Sequence, residues 1–447
     1  MSTRGKLFAV TTVVVIVSAL LFWQWAHPSR PNVILIIVDT LRADHLSTYG
    51  YERKTSPVID TFADENLKFN LAMATAPWTA PSVASIFTGL YPTAHGVGRH
   101  ISPEEAEDGR AKAAILDDRF ETLAEALGRN GYVTAGVTGN AWVADYLGFA
   151  QGFDKFLTMD YSPANEINFY SFQLIKSFSE QSQPFLLYVH YMDPHKPYKP
   201  PEDWPVEFHE PLQETPYIPS QVHQIDLYDR EIGYVDSQIG KLFGQLRDRG
   251  LYRDAVIVLV SDHGEQFREH GNIGHGQNVF NYQLHVPLIL KAPGLQGRVE
   301  EAVSIMDIYP TILELTGTRP GGELQGVSLL QSGQTHRTGV LSESTRERNN
   351  KSFTRSDGKK LVLAFDAEDN DVVDEAMELE PVGLFDLVVD YNEKSPLQED
   401  EGLMNAMRSA FYAAYRDSVK RRLVGKAQDV DLKPETVREL KALGYLQ

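Results

Sequence analysis

Carboxylate and imidazole side chains follow three apolar runs of this chain, each at the point where the run ends. The runs cover residues 33–38, 184–190 and 255–260, and the side chains after them are Asp39, Asp193, His195, Asp262 and His263. Carboxylate oxygens and imidazole nitrogens are suitable ligands for one divalent cation. Asp39 alone would be interpreted as a helix cap, but Asp262 and His263 in the same position after another run favour a metal site.

The elements that must position these side chains are predicted to form an open, mostly parallel α/β sheet. Each run consists almost entirely of apolar residues, which is typical of a strand buried on both faces. Helical patterns lie between the runs, over Phe120–Asn130 and Tyr228–Arg249, and another helix is predicted after the last run, over Met306–Leu315. Because parallel strands end at one edge of a sheet, the polar side chains after the runs are expected to meet there.

The pattern changes after about residue 335, and a smaller α+β subdomain is predicted there. Residues 352–365 and 382–389 are predicted as strands, separated by an acidic loop over residues 366–378. Amphipathic helices are predicted over Leu403–Leu423 and Lys433–Leu446. The prediction is therefore a main domain over residues 31–335 and a C-terminal subdomain over residues 336–447.

The N-terminus predicts a membrane anchor over residues 1–26. Arg4 and Lys6 precede an apolar run from Leu7 to Trp25. Nineteen residues at a rise of about 1.5 Å give about 29 Å, enough to cross a hydrocarbon core. Basic residues before the run place the N-terminus in the cytoplasm and the remainder in the periplasm or outside the cell. A cleaved signal peptide is the alternative, although Gln24 and Trp25 make a poor cleavage site before His27.

Composition excludes some functions. The chain has 447 residues, a formal net charge of −19 and no cysteine. An acidic surface argues against nucleic acid as a partner. The absence of cysteine excludes disulfides, thiolate metal sites and a cysteine nucleophile.

Residues 78–92 read W-T-A-P-S-V-A-S-I-F-T-G-L-Y-P, and this run resembles the signature of the sulfatase family in the alkaline-phosphatase superfamily. Other segments resemble the family in the same order, and they are 31–46, 191–198, 261–265, 274–276, 284–290 and 307–317. The resemblance covers roughly residues 31–335. It implies an alkaline-phosphatase/sulfatase-like sandwich with a central, mostly parallel sheet, and a metal-dependent hydrolase of sulfuric or phosphoric esters.

The chain departs from the family pattern at its reactive residue. Thr79 occupies the place of the Cys or Ser that the family converts to formylglycine, so no formylglycine is expected. Val83 replaces the arginine of the signature, and Asn140 lies where a lysine-containing segment is common. The loss of two cations weakens the case for cleavage of sulfate monoesters.

A threonine hydroxyl is a weak nucleophile that becomes competent when a metal lowers its pKa. Pro81 and Ser82 predict a helix with Pro81 as its first residue, which would place Thr79 at the positive helix terminus. An anion also binds at such a terminus. A simple helix cap is the alternative interpretation of Thr79.

The resemblance and the ligand chemistry together predict one divalent ion, Ca²⁺, Mn²⁺ or Zn²⁺, at a single site. The predicted ligands are Asp39, Thr40, Thr79, Asp262 and His263, with Thr40 either a ligand or a cap. The resemblance implies that His195 and His275 contact the ester oxygens or the leaving group. Four other histidines are interpreted as supporting or structural, and they are His100, His190, His270 and His285. Asp193 is expected to orient His195, or to bind a second metal with both histidines.

The resulting hypothesis is phosphodiester hydrolysis or phosphoryl transfer through Thr79, with a phosphothreonine intermediate like that of related enzymes in the superfamily. A sulfate ester hydrolase without formylglycine is one alternative. A catalytically silent, membrane-anchored protein that binds esters or acts as a scaffold is another. The ester could be a glycan, a lipid head group or a small molecule.

Overall fold

The computed structural model describes residues 30–98, 100–101, 112–202, 204, 208, 219–331, 337–344, 350–364, 380–398, 400–422, 429–432 and 437. Its strands, numbered in chain order, are β1 (Val33–Val38), β2 (Leu67–Met73), β3 (His100–Ile101), β4 (Lys112–Ala114), β5 (Val133–Thr138), β6 (Lys155–Thr158), β7 (Phe185–Tyr191), β8 (Val256–Val260), β9 (Gln266–Phe267), β10 (Ile273–Gly274), β11 (His285–Lys291), β12 (Gly297–Ser304), β13 (Gly339–Glu343), β14 (Lys351–Arg355), β15 (Lys359–Ala364), β16 (Glu380–Asp386) and β17 (Asp429–Asp431).

The helices are numbered in the same way. The α-helices are α1 (Pro57–Glu65), α2 (Thr79–Thr88), α3 (Pro92–His95), α4 (Leu123–Arg129), α5 (Ala164–Ser179), α6 (Pro219–Asp248), α7 (Asn281–Leu284), α8 (Ile308–Thr316) and α9 (Glu401–Arg421). Short 3₁₀ helices cover Ala43–His45, Ser47–Tyr49, Ala141–Val143, Asp145–Leu147, Ile305–Asp307 and Leu329–Gln331.

The central sheet has eight strands in the order β12-β2-β11-β8-β1-β7-β5-β6. Strand β11 runs antiparallel to both of its neighbours, and all the other neighbouring strands are parallel. The prediction of a mostly parallel α/β sheet is therefore confirmed. Strands β8, β1, β7 and β5 end at one edge, as the apolar runs predicted.

Both faces of this sheet are covered by helices. Along β1, Val33, Leu35 and Ile37 pack in one core, which includes residues of α2, α4 and α8. Ile34 and Ile36 pack in a second core with residues of α1, α5 and α6. Alternate residues of the strand thus enter different cores, which explains why its sequence is apolar throughout.

The predicted helices are present with shifted ends. The helix predicted over residues 120–130 is α4, which covers only Leu123–Arg129 because Thr122 and Glu125 make a capping box at its start. Gly131 follows this helix with a φ of 81°, the left-handed conformation that glycine adopts most readily. Helix α6 begins earlier than predicted, at Pro219. The predicted helix 306–315 is a 3₁₀ turn followed by α8.

The C-terminal residues form a second sheet with its own apolar core. Strands β13, β14, β15 and β16 are antiparallel in that order, and α9 packs against them through Met407, Phe411 and Tyr415. Residues 352–365 were predicted as one strand, but a turn at Gly358 divides them into β14 and β15. The acidic loop 366–378 and the helix predicted over 433–446 lie outside the described residues, apart from residue 437.

All the described residues from Asn32 onward belong to one compact unit. The division at residue 335 remains a prediction. The anchor predicted over residues 1–26 lies outside the described residues. In the part of the chain that the structure describes, no helix is both long enough and apolar enough to cross a bilayer.

Candidate active site

The predicted ligands meet at the carboxyl edge of the central sheet. Asp39 follows β1, and Asp262 and His263 follow the neighbouring parallel strand β8. Thr79 is the first residue of α2, which packs on the same sheet. All four side chains are buried, so the polar groups of the site depend on one another rather than on solvent.

Asp39, Asp262 and His263 form a group that could hold a cation. One ligand atom from each lies within 4.8 Å of the others. His263 Nε2 is 3.6 Å from Asp39 Oδ1 and 3.6 Å from Asp262 Oδ2. Neither of these two carboxylate oxygens has a hydrogen-bond partner among the described residues. Buried carboxylate oxygens without partners are costly, and a bound cation would satisfy them.

The two carboxyl groups are in different electrostatic environments. Burial raises the pKa of Asp39, but the hydrogen bond from His190 and the surrounding imidazoles outweigh it and hold that pKa below its usual value. Burial and then the charge of Asp39 raise the pKa of Asp262. Two carboxylates this close repel each other, and a cation bound between them would offset that repulsion.

The tautomer of His263 follows from its hydrogen bonds. Its Nδ1 lies 2.9 Å from the carbonyl oxygen of Gly264, which can only accept, so Nδ1 carries the proton. In the neutral imidazole the lone pair is then on Nε2, which lies 3.2 Å from Oγ1 of Thr79. This nitrogen can bind a cation or accept the Thr79 proton.

The helix that carries Thr79 starts two residues earlier than predicted. Thr79 is its first residue and Trp78 its N-cap, so Pro81 lies within the first turn. A proline is tolerated in the first turn because the first N–H groups of a helix have no partner within the helix. Thr79 is not the N-cap, and its hydroxyl faces the site instead. Val83 is buried in the core, and its side chain carries no charge. The helix therefore has no cation at the position where the signature has an arginine.

Thr40 has an unusual conformation beside the two acids. Its φ is 53°, in the left-handed region that non-glycine residues rarely adopt. Its N–H donates to Asp262 Oδ1 at 3.3 Å, and its carbonyl oxygen accepts from the hydroxyl of Tyr228 at 2.8 Å. The Thr40 hydroxyl is buried and has no hydrogen-bond partner among the described residues. It makes no capping bond and is available to a cation.

Asn140 belongs to the site, although the sequence identified it only as a departure from the family pattern. It follows β5, and its Oδ1 accepts from the N–H of Trp142 at 2.8 Å. This fixes the amide so that Nδ2 donates to Asp39 Oδ2 at 2.5 Å and to Thr79 Oγ1 at 3.3 Å. The position of Asn140, two residues after the end of strand β5, was the signal that could have identified it.

His190 supports Asp39 from the neighbouring strand β7, as predicted for a supporting residue. Its Nε2 lies 3.4 Å from Asp39 Oδ2, and its Nδ1 lies 2.8 Å from the hydroxyl of Tyr188. Both residues are fully buried.

His195 and His275 lie together beside His263. The ring centroids of His263 and His275 are 4.5 Å apart, and those of His275 and His195 are 5.0 Å apart. Nδ1 of His275 lies 3.2 Å from Glu265 Oε1, and Nδ1 of His195 donates to the carbonyl oxygen of Lys196 at 2.5 Å. The structure thus brings the two predicted catalytic histidines to the site.

Asp193 lies further from the two carboxylates. Its Oδ2 accepts the N–H of Ala164, the first residue of α5, at 2.8 Å, and burial raises its pKa to about 6. Among the described residues, the group within metal-ligand distance contains neither Asp193 nor His195 nor His275. The candidate group that the described residues form therefore consists of Asp39, Asp262 and His263.

Comparisons with known proteins show which proteins the chain is similar to. The sulfatase family model matches residues 31–318. An arylsulfatase of Clostridium perfringens is 23% identical over 383 residues, covering 67% of this chain and 78% of that protein. The multifunctional alkaline phosphatase superfamily protein PehA of Trinickia caryophylli is 25% identical over 398 residues, covering 68% of this chain and 77% of PehA. The crystal structure of a phosphonate monoester hydrolase of Agrobacterium radiobacter superposes with a TM-score of 0.69 at 20% identity, covering 91% of this chain and 100% of that one, which shows a shared fold.

Proposed function

Because the chain belongs to the sulfatase family of hydrolases, we propose that it hydrolyses phosphodiesters with Thr79 as the nucleophile. One observation carries this proposal: Thr79 Oγ1 lies 3.2 Å from His263 Nε2, at the start of a helix and beside the candidate cation site. A hydroxyl beside candidate cation ligands and at an anion-binding helix terminus is the arrangement that nucleophilic catalysis needs, because a bound cation would activate the hydroxyl.

The residues that would hold the cation are Asp39, Thr40, Thr79, Asp262 and His263. Their oxygen and imidazole donors suit Ca²⁺, Mn²⁺ or Zn²⁺. When bound, the ion would lower the pKa of the Thr79 hydroxyl and offset negative charge on the non-bridging oxygens of the ester. Asn140 directs an N–H group at the same hydroxyl oxygen and can stabilise it as it loses its proton.

The reaction proceeds in two balanced steps. Thr79 Oγ forms a bond to phosphorus while one P–O ester bond breaks, giving a threonine phosphodiester and the first alcohol, which takes up the proton that Thr79 releases. Water then cleaves the bond between Thr79 and phosphorus, returning the threonine hydroxyl and releasing a phosphate monoester. His195 and His275 are placed to exchange these protons with the leaving oxygen and with water.

Phosphorus is favoured over sulfur because of what surrounds Thr79. Asn140 and the buried Val83 supply no positive charge where the family signature has cations. The names of PehA and of the phosphonate monoester hydrolase support a wider choice of esters within the superfamily. Hydrolysis of a sulfate ester without formylglycine is the alternative that a substrate panel tests.

The test compares an aryl sulfate, a phosphate monoester, a phosphodiester and a phosphonate ester, with Ca²⁺, Mn²⁺ and Zn²⁺ added in turn. We expect phosphodiester turnover in the wild type, a loss of at least about 10³-fold in Thr79→Ala and a smaller loss in Thr79→Ser, which keeps the hydroxyl. Turnover of the sulfate alone, or an equal rate in Thr79→Ala, would refute the proposal.

A further inference from the structure

A cavity of about 280 Å³ lies beside His195. It is lined by residues 161–163 after β6, by residues of 192–199 after β7 and by Glu231 of α6. Strands β6 and β7 run parallel to the strands that carry the candidate ligands, so their ends lie at the same edge of the sheet. His195 is shared by the cavity and by the row of imidazoles that reaches Thr79.

Glu231 is a buried acid that the proposed reaction does not use. Its side chain is only 4% exposed, and its Oε1 accepts the N–H of Lys199. Its Oε2 has no hydrogen-bond partner among the described residues. Burial, and then the charge of Asp193, raise the pKa of Glu231 well above its usual value. The unpartnered oxygen gives this carboxyl group bonding capacity that a ligand can use.

The lining of the cavity carries charges of both signs. Lys196 and Lys199 are exposed, and neither makes an ion pair with any residue that the structure describes. Their ammonium groups disfavour a cationic guest, while the carboxylate of Asp193 disfavours an anionic one. A neutral group with several hydroxyls meets both conditions, because each hydroxyl can donate to a carboxyl oxygen and accept from an ammonium.

We propose that this cavity is a subsite for the alcohol part of the ester and that it takes a neutral, polyhydroxylated ring, with Glu231 as the specificity-determining residue. The link to catalysis rests on the proposed function, whereas binding of the ring does not require Thr79. At about 30 Å³ per water, the cavity volume corresponds to roughly nine water molecules. That space suits one ring rather than a lipid chain.

The test measures KM and kcat for three methyl phosphodiesters, whose second alcohol is a hexose, cyclohexanol or 4-nitrophenol. In Glu231→Met we expect KM for the hexose ester to rise about tenfold, as for the loss of a buried hydrogen bond, with little change for the other two. Glu231→Gln keeps the bond to Lys199 and should show a smaller rise. Glu180→Gln, at an exposed position on the surface, is the matched control and should change nothing.

An unchanged KM for the hexose ester in both Glu231 variants overturns the subsite, and so does an equal rise for all three esters. If the wild type turns over none of them, the proposed function fails, and direct binding then decides the subsite separately. Saturation-transfer NMR with methyl glucoside should show binding to the wild type and to Thr79→Ala but not to Glu231→Met. No binding to the wild type would overturn the proposal.

Discussion

Asn140 shows how much of the site depends on single residues that carry no charge. Its amide joins Asp39 to Thr79 and is itself held by the backbone of Trp142. A lysine at this position would bring a cation beside Thr79, whereas the amide brings a neutral donor. At the scale of the residue, the preference for phosphorus over sulfur in the proposed function rests on Thr79, Val83 and Asn140 together.

The metal site gives the first prediction at this scale. Asp262→Ala removes one of two buried carboxylates and should abolish stoichiometric binding of the divalent ion, because the remaining donors no longer balance its charge. Elemental analysis after dialysis measures the bound metal. Asp254→Ala, at an exposed residue near the opposite end of the same strand, should retain it. Equal metal content in Asp262→Ala and the wild type would show that the ion binds elsewhere, and two ions per chain would give Asp193, His195 and His275 a role as ligands.

At the scale of the element, the loops that shape the site are fixed by caps and turns. Thr122 caps α4 by accepting the N–H of Glu125 at 3.2 Å, and its hydroxyl donates to the carbonyl of Gln151 at 2.9 Å. Thr122→Ala should lower the free energy of unfolding by about 1–2 kcal/mol. Urea denaturation followed by circular dichroism measures this change.

Thr61→Ala is the matched control for the cap. Thr61 is exposed on α1 and bonds only the carbonyl of Pro57 in its own helix, so its loss should change stability by less than about 0.5 kcal/mol. Equal effects of the two substitutions would mean that the cap of α4 contributes nothing specific.

The sequence was sufficient to predict the parallel strands, because residues 33–38 and 255–260 are apolar throughout and carry acids at their ends. It was also sufficient to predict that Asp39, Asp262 and His263 lie close together. It could not predict that the helix of Thr79 starts at Thr79 itself, because a proline is compatible with several positions of a first turn. It also could not assign Asn140, whose contacts depend on how β5 lies relative to β1 in space.

At the scale of the whole molecule, the C-terminal sheet is joined to the main part of the chain by buried polar contacts. Glu343 of β13 accepts from Lys351 at 2.8 Å and from the N–H of Thr93 at 3.2 Å. Its own N–H donates to the carbonyl of Thr75 at 2.8 Å, four residues before Thr79. The C-terminal residues therefore support the segment that leads into the nucleophile helix.

The location of the protein is also a prediction at this scale. We propose that residues 1–26 anchor the chain in a membrane and that the rest of the protein lies in the periplasm or outside the cell, because Arg4 and Lys6 precede the apolar run. Protease added to intact cells or spheroplasts should digest the main domain, and deletion of residues 1–26 should release it from membranes. Full protection from protease in intact spheroplasts would contradict this orientation.

The central claim is that Thr79 forms a bond to phosphorus during turnover. The most direct measurement is mass spectrometry of the peptide that contains Thr79, after a rapid acid quench of the enzyme turning over a phosphodiester. We expect a phosphoryl adduct on Thr79 that is absent without substrate and absent in Thr79→Ala. A sulfated Thr79 after incubation with an aryl sulfate, or a phosphoryl adduct on any other residue, would contradict it.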